Sequence, residues 1–231
     1  MFTLSPSALA IFNECPNCFY LDRKLKIKRP RGIFPSLPGA VDTKLKTYYD
    51  AFRVANKKPP ELELHPEMSQ WELFSKLEEL NKMRQWQTGL KVKTKNYELI
   101  GAIDELLFSR KSELYAPLDY KSKGKECEQA DAEKWYQRQL DLYALMLESN
   151  GKKTSGTGYL VFYFPESCQA EPKTVVTNFS FRAQLVTIGV DIYRAKKLCE
   201  DAVECLSKPN PPASSTKCEY CQYNLFKTGV A

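Results

Sequence analysis

Two Cys-x-x-Cys pairs, Cys15-Pro16-Asn17-Cys18 and Cys218-Glu219-Tyr220-Cys221, stand almost the whole length of a 231-residue chain apart. That spacing is typical of tetrahedral thiolate sites, so the four sulfurs are expected to share one metal. The requirement brings the two ends of the chain together, and few folds satisfy it. Segments 1–35 and 208–231 are accordingly expected to build the site, which would fasten the termini and add stability rather than chemistry. Four thiolates serve either Zn2+ or a [4Fe-4S] cluster, and spacing leaves both open. The competing reading is two disulfides or four free thiols. It suits an exported chain, whereas this amino terminus has no charged lead followed by an apolar stretch. No apolar run approaches the ~18 residues that cross a bilayer, so a cytoplasmic protein without a membrane partner is expected. Cys127, Cys168, Cys199 and Cys205 read as scattered, partly buried thiols.

A second constellation lies mid-chain, where Gly101-Ala102-Ile103-Asp104 is followed by Asp119-Tyr120-Lys121. An antiparallel hairpin with a two-residue turn at Lys111-Ser112 sets Asp104 opposite Asp119, because the two are equidistant from that turn. Their side chains would then be cross-strand neighbours, ~5 Å apart. Alternation sends Asp119 and Lys121 to one face and Leu114, Ala116, Leu118 and Tyr120 to the other. Asp104 would end one Gly-containing apolar strand and Asp-Tyr-Lys another, at a sheet rim. Paired carboxylates suit a hard cation such as Mg2+ or Mn2+, which polarises a phosphoryl oxygen and acidifies a bound water. Lys121 would assist that water or stabilise charge on the phosphate, and both roles stay open. The bland alternative is a solvated strand edge that holds Asp-x-Lys by chance.

Downstream, Trp135 to Met146 reads as a helix with a broad apolar face, and Gln139 and Tyr143, four apart, share one side of it. Core packing is the structural role open to Tyr143. Taken together, Gly-x-x-Asp, Asp-x-Lys and Gln-x-x-x-Tyr resemble the PD-(D/E)XK nucleases of the RecB-like branch. The resemblance spans nearly the entire chain. It implies that Asp104 and Asp119 bind a divalent metal, that Lys121 is catalytic, and that Gln139 and Tyr143 border the active site and its DNA.

Family members usually add a metal ligand, often histidine, from an upstream helix. The matching segment here is Pro38-Gly39-Ala40-Val41-Asp42-Thr43-Lys44-Leu45, so the resemblance puts Asp42 in that place. A helix starting near Asp42 would instead use it as a cap. The sole histidine, His65, sits in the Pro-rich stretch 58–66 and reads as a surface residue. Relatives often hold an iron-sulfur cluster with one cysteine before the nuclease core and three after. This chain departs from that pattern: Lys227 stands where a third late cysteine is expected, and Cys18 supplies an extra early one.

Length and a 43% hydrophobic content allow one substantial core, so a single domain over 1–231 is expected. A formal charge of +6, from 34 basic and 28 acidic residues, favours a polyanionic partner only modestly. The basic stretches 24–31 and 121–125 could contact phosphates, although the first reads better as a solvated loop. Ser5 caps a first helix with Pro6 in its first turn. A second helix runs from Val41 to Phe52 and a third across Trp71 to Met83. Gly158 to Pro165 is a buried strand, Thr174 to Arg182 an edge strand, and Leu185 through Ala202 a closing helix.

These elements give an α/β, restriction-endonuclease-like core: a mixed sheet with a catalytic hairpin, flanked by helices. The expected protein is a metal-dependent deoxyribonuclease of RecB-like exonuclease type, acting in DNA repair, recombination or defence. DNA is the expected partner, with a helicase, recombination or CRISPR-adaptation protein as a further one. The alternative is a non-catalytic DNA-binding or assembly subunit that keeps the fold; RNA as substrate is a third possibility.

Overall fold

The computed structural model describes residues 1–30, 32, 36–169 and 178–228. Strand β1 (Phe2–Leu4) leads into α1 (Pro6–Glu14), which Ser5 caps: its Oγ accepts from the Ala8 amide at 3.2 Å, and Pro6 fills a position that needs no donor. Cys15 ends α1 and begins α2 (Pro16–Arg23), so the first Cys-x-x-Cys pair rides on a tight helix-to-helix junction. Helix α3 (Ser36–Val54) starts earlier than the sequence suggests. Asp42 therefore lies well inside it and caps nothing.

The Pro-rich stretch that follows forms α4 (Pro60–Glu63) and a 3-10 turn at Pro66–Met68. The helix expected across Trp71 to Met83 is split. Glu72–Leu73 make strand β2 on β5, and only Leu77–Met83 are helical, as α5. Tertiary bonds decide this: buried Trp71 Nε1 donates to Tyr159 Oη at 2.9 Å, and the Phe74 amide donates to the Leu106 carbonyl at 2.9 Å.

Strands β3 (Leu90–Lys93) and β4 (Tyr97–Gly101) join β1 in a three-stranded sheet of order β1-β4-β3. The second sheet, of order β2-β5-β6-β7-β8, contains β5 (Glu105–Ser109), β6 (Leu114–Ser122), β7 (Thr157–Gln169) and β8 (Asn178–Gly189). Gly101 and Asp104 thus do not share a strand; the chain leaves one sheet and enters the other between them. Gly89 is needed where β3 begins, because a Cβ there would lie 2.3 Å from the Gly101 carbonyl oxygen and 2.6 Å from that of Gln85.

Helix α6 (Gln129–Ser149) makes the crossover between the parallel neighbours β6 and β7. Strand β8 runs further than expected, because β7 offers it a ladder as far as the Thr157–Gly189 pair. Leu185 and Ile188 are therefore strand residues, and the closing helix α7 (Ile192–Ser207) begins at Asp191, whose carboxylate accepts from the Tyr193 amide at 2.8 Å. Phe179 and Phe181 lie in β8, while Val175 and Thr177 fall outside the described residues. Helix α8 (Glu219–Thr228) ends the described chain. Among the described residues no helix is long and apolar enough to cross a membrane.

The five-stranded sheet has apolar faces on both sides. Leu160 and Phe162 of β7 pack with α1, α6 and α7, whereas Tyr159, Val161 and Tyr163 pack with α3 and α4. Leu118 and Tyr120 of β6 join the α3 side, which leaves Asp119 and Lys121 facing α6.

Candidate active site and cysteine cluster

The register predicted for the hairpin is the one observed: Glu105 pairs with Leu118 and Ser109 with Leu114, so each pair is equidistant from the expected turn. The connection is longer than two residues. It spans Arg110 to Glu113, and Glu113 takes φ 57. Asp104 lies one residue before β5 and continues this register towards Asp119.

Asp119 is fully buried, and its two carboxylate oxygens have different surroundings. Oδ1 accepts from Gln139 Nε2 at 3.1 Å and from Tyr143 Oη at 3.4 Å, while Gln139 also donates to Tyr143 Oη at 2.6 Å. Tyr143 thus packs in the core and also bonds Asp119. Oδ2 is in ion-pair contact with Lys121 Nζ but receives no hydrogen bond of acceptable geometry. Lys121 Nζ lies 5.0 Å from the centroid of the Tyr136 ring. Asp104 is near enough to Asp119 for each carboxyl to influence the titration of the other.

Charge divides the pair. Burial raises Asp119 to about 7, with the Asp104 charge adding to the rise and Lys121 opposing it. Burial acts in the same sense on Asp104 and is the largest single influence, but Lys46, Asp119 and Lys121 together outweigh it and hold that carboxyl below its usual range. For Lys121 burial disfavours the ammonium, yet Asp119 and Asp104 more than offset it and raise its pKa. The amine is therefore cationic at neutral pH.

Lys46, which the sequence reading missed, lies 2.8 Å from Asp42 Oδ2 and 2.9 Å from Asp104 Oδ1. Asp42 reaches the site through this ammonium. Among the described residues, only the cysteines place three or more ligating atoms within 4.8 Å of one another, so Asp42, Asp104 and Asp119 do not close into so tight a group. Lys46 was legible in principle, since it is four residues from Asp42 on a helix.

Behind the hairpin lies a charged network with no local sequence signature. Fully buried Glu105 pairs with Arg53 and, at 3.1 Å, with Arg84. It also accepts from Tyr120 Oη at 2.7 Å. Asp50 bridges both arginines, at 2.6 and 2.8 Å. Arg84 Nε donates to the Asp104 carbonyl at 2.9 Å, which fixes the backbone carrying that carboxylate. Tyr120, the middle residue of Asp-Tyr-Lys, thus anchors β6 to this network from the opposite face.

A divalent cation fits these donors. Two facing carboxylates supply hard oxygen, one buried oxygen lacks a hydrogen bond, and burial resists the negative charge of Asp119. Alongside runs a cleft of about 770 Å³ lined by Gln139, Tyr143, Arg138, Arg23 and the largely exposed Trp86 and Trp135. In the basic stretch 121–125, Lys123 is engaged by Cys127 Sγ at 3.1 Å.

The two Cys-x-x-Cys pairs meet. Cys15, Cys18, Cys218 and Cys221 are all buried, and their sulfurs lie within 4.8 Å of one another. Arg29, expected in a solvated loop, packs here instead: its Nη2 donates to Cys218 Sγ at 3.5 Å. Cys127, Cys199 and Cys205 are buried apart from this cluster, and Cys168 is exposed. His65 is partly exposed beside Glu67.

A family model described as the PD-(D/E)XK nuclease superfamily matches residues 3–225. Among solved structures, one described as "Crystal structure of SSO0001" is 13% identical with a TM-score of 0.47, covering 97% of this chain and 85% of that one. No curated protein matches the chain.

Proposed function

We propose that this chain, which belongs to the PD-(D/E)XK nuclease superfamily, is a divalent-metal-dependent deoxyribonuclease that hydrolyses DNA phosphodiester bonds. The observation that carries this reading is the convergence of Asp104, Asp119 and Lys121 at the rim of one sheet, with Gln139 and Tyr143 both bonded to Asp119. Asp104 and Asp119 would hold Mg2+ or Mn2+, and Asp42 would complete the acidic surround through Lys46. The cation supplies Lewis-acid polarisation of the phosphate and a more acidic water.

The protein's own residues do the rest. Lys121, held cationic by its two acidic neighbours, stabilises charge on the phosphate oxygens and is poorly suited to take a proton. Gln139 and Tyr143 fix Asp119 so that Oδ2 turns towards Lys121. Arg84 holds the Asp104 backbone from behind. The adjoining cleft combines exposed Trp86 and Trp135 with Arg23 and Arg138, a mixture of stacking surfaces and cations that suits a nucleic-acid strand. In this reading residues 1–231 form a single cytoplasmic nuclease domain of RecB-like exonuclease type. It would work in DNA repair, recombination or defence, beside a helicase, recombination or CRISPR-adaptation partner.

The test incubates the purified chain with linear and circular, single- and double-stranded DNA, in Mg2+, Mn2+ or chelator. Metal-dependent loss of linear DNA from its ends is expected, abolished by Asp119→Ala or Lys121→Ala. Full activity in either variant would refute the assignment. DNA binding without cleavage in every metal would favour the non-catalytic subunit.

A further inference from the structure

The geometry points to a single Zn2+ ion, rather than an iron-sulfur cluster, at the four cysteines, with Arg29 and Asn17 as positioning residues around the sulfurs. This goes beyond the nuclease reading and does not depend on it. Four sulfurs on one tetrahedral zinc, each at about 2.3 Å, stand about 3.8 Å from one another. The observed separations are 3.6 Å for Cys15–Cys221, 3.6 Å for Cys18–Cys218 and 3.8 Å for Cys18–Cys221, with every pair inside 4.8 Å. In a [4Fe-4S] cluster each thiolate binds a different iron at the corner of a cubane. Its sulfurs are separated by an iron-iron distance plus the outward reach of two bonds, which this cluster does not accommodate.

The surroundings agree with the charge of such a site. Zinc with four thiolates carries a formal charge of −2 and is stabilised by donors aimed at sulfur. Asn17 Nδ2 donates to Cys221 Sγ at 3.7 Å and is held by Ser214 Oγ at 3.0 Å. Arg29 donates to Cys218 Sγ, stacks over the Tyr220 ring at 4.5 Å, and pairs with Glu14 at 2.9 Å. Its Nε is buried with no hydrogen-bond partner. Desolvating a guanidinium against four neutral thiols would be costly, whereas an anionic zinc-thiolate centre offsets that cost.

The full chain, purified with and without oxygen, is assayed for zinc, iron and acid-labile sulfide. One zinc per chain, no sulfide and no visible absorption are expected. Replacement of zinc by Co2+ should give the intense visible bands of tetrahedral cobalt thiolate. Four irons with four sulfides in the anaerobic preparation, or substoichiometric metal in both, would overturn the inference. Arg29→Gln is expected to weaken zinc about 10- to 100-fold in chelator competition, with Arg29→Lys recovering part of the loss. Unchanged affinity in Arg29→Gln would remove Arg29 from the site. Asp119→Ala, inactive under the nuclease reading, should keep its zinc, so the two readings fail separately.

Discussion

Replacing Asp119 with asparagine should change how the protein's stability responds to pH, and by an amount that follows from its burial. The carboxyl has a folded pKa of about 7 against 3.8 in an unfolded chain. A folded-state pKa above the unfolded one means that the folded protein binds the proton more tightly. The associated stability is full below pH 3.8 and is lost as pH rises through 7. For one site of this kind the loss between pH 5 and pH 8 is about 3 kcal/mol. The side-chain amide of the variant has no proton to release. Urea unfolding followed by tryptophan fluorescence, at pH 5, 6, 7 and 8 in buffer without Mg2+ or Mn2+, should therefore show wild type declining by about 3 kcal/mol more than Asp119→Asn. The difference between the two proteins cancels any titration they share, including that of the cysteines. Adding Mg2+ should restore stability at pH 8 in wild type and much less in the variant. Parallel pH profiles would refute the claim that Asp119 carries the buried, proton-hungry charge of the site.

Other outcomes are equally open to measurement. Lys121→Met should lower single-turnover cleavage by at least about 10²-fold in the folded variant, and because it leaves buried Asp119 without its ion-pair partner a stability loss of about 1–3 kcal/mol should accompany it; wild-type cleavage would remove Lys121 from the chemistry. Tyr143→Phe keeps the ring in the core but loses the donor to Asp119; a stability loss of about 1 kcal/mol with reduced cleavage is expected, and unchanged cleavage would reduce Tyr143 to packing. Arg84→Met leaves Glu105 half-paired and frees the Asp104 carbonyl, so a loss of about 3 kcal/mol should appear by calorimetry, together with a higher Mg2+ requirement for cleavage. Gly89→Ala forces a Cβ against two carbonyl oxygens and should cost about 1–3 kcal/mol in the same unfolding assay.

What sequence reasoning reached was local or periodic. Alternation along Leu114 to Lys121 put Asp119 and Lys121 on one face, and equal spacing about the turn gave the register, because a slip of one residue would turn both side chains away from Gln139 and Tyr143 and into the apolar face against α3. The Cys-x-x-Cys pairs were legible because thiolate chemistry demands four sulfurs in one place. What escaped depends on partners distant in sequence. Trp71 leaves a helical pattern for Tyr159, and Leu185 and Ile188 form strand because β7 lies beside them. Arg84 and Glu105 are 21 residues apart and carry no motif, so nothing short of the fold reveals that they brace Asp104. Arg29 looked like one more cation in a basic run until the fold set it against sulfur.

Cys15 and Cys221 are 206 positions apart, yet their sulfurs touch. During synthesis the early pair must therefore wait until the ribosome has passed the late pair before it finds its counterpart, and a product halted anywhere before residue 218 presents two of these thiols in place of four. If the four thiols hold the proposed zinc, its capture would be a late event that registers whether translation has run through the nuclease core. Prematurely terminated copies would keep their first cysteines exposed to oxidation and quality control, which makes the ligand arrangement a built-in mark that the core has been made in full.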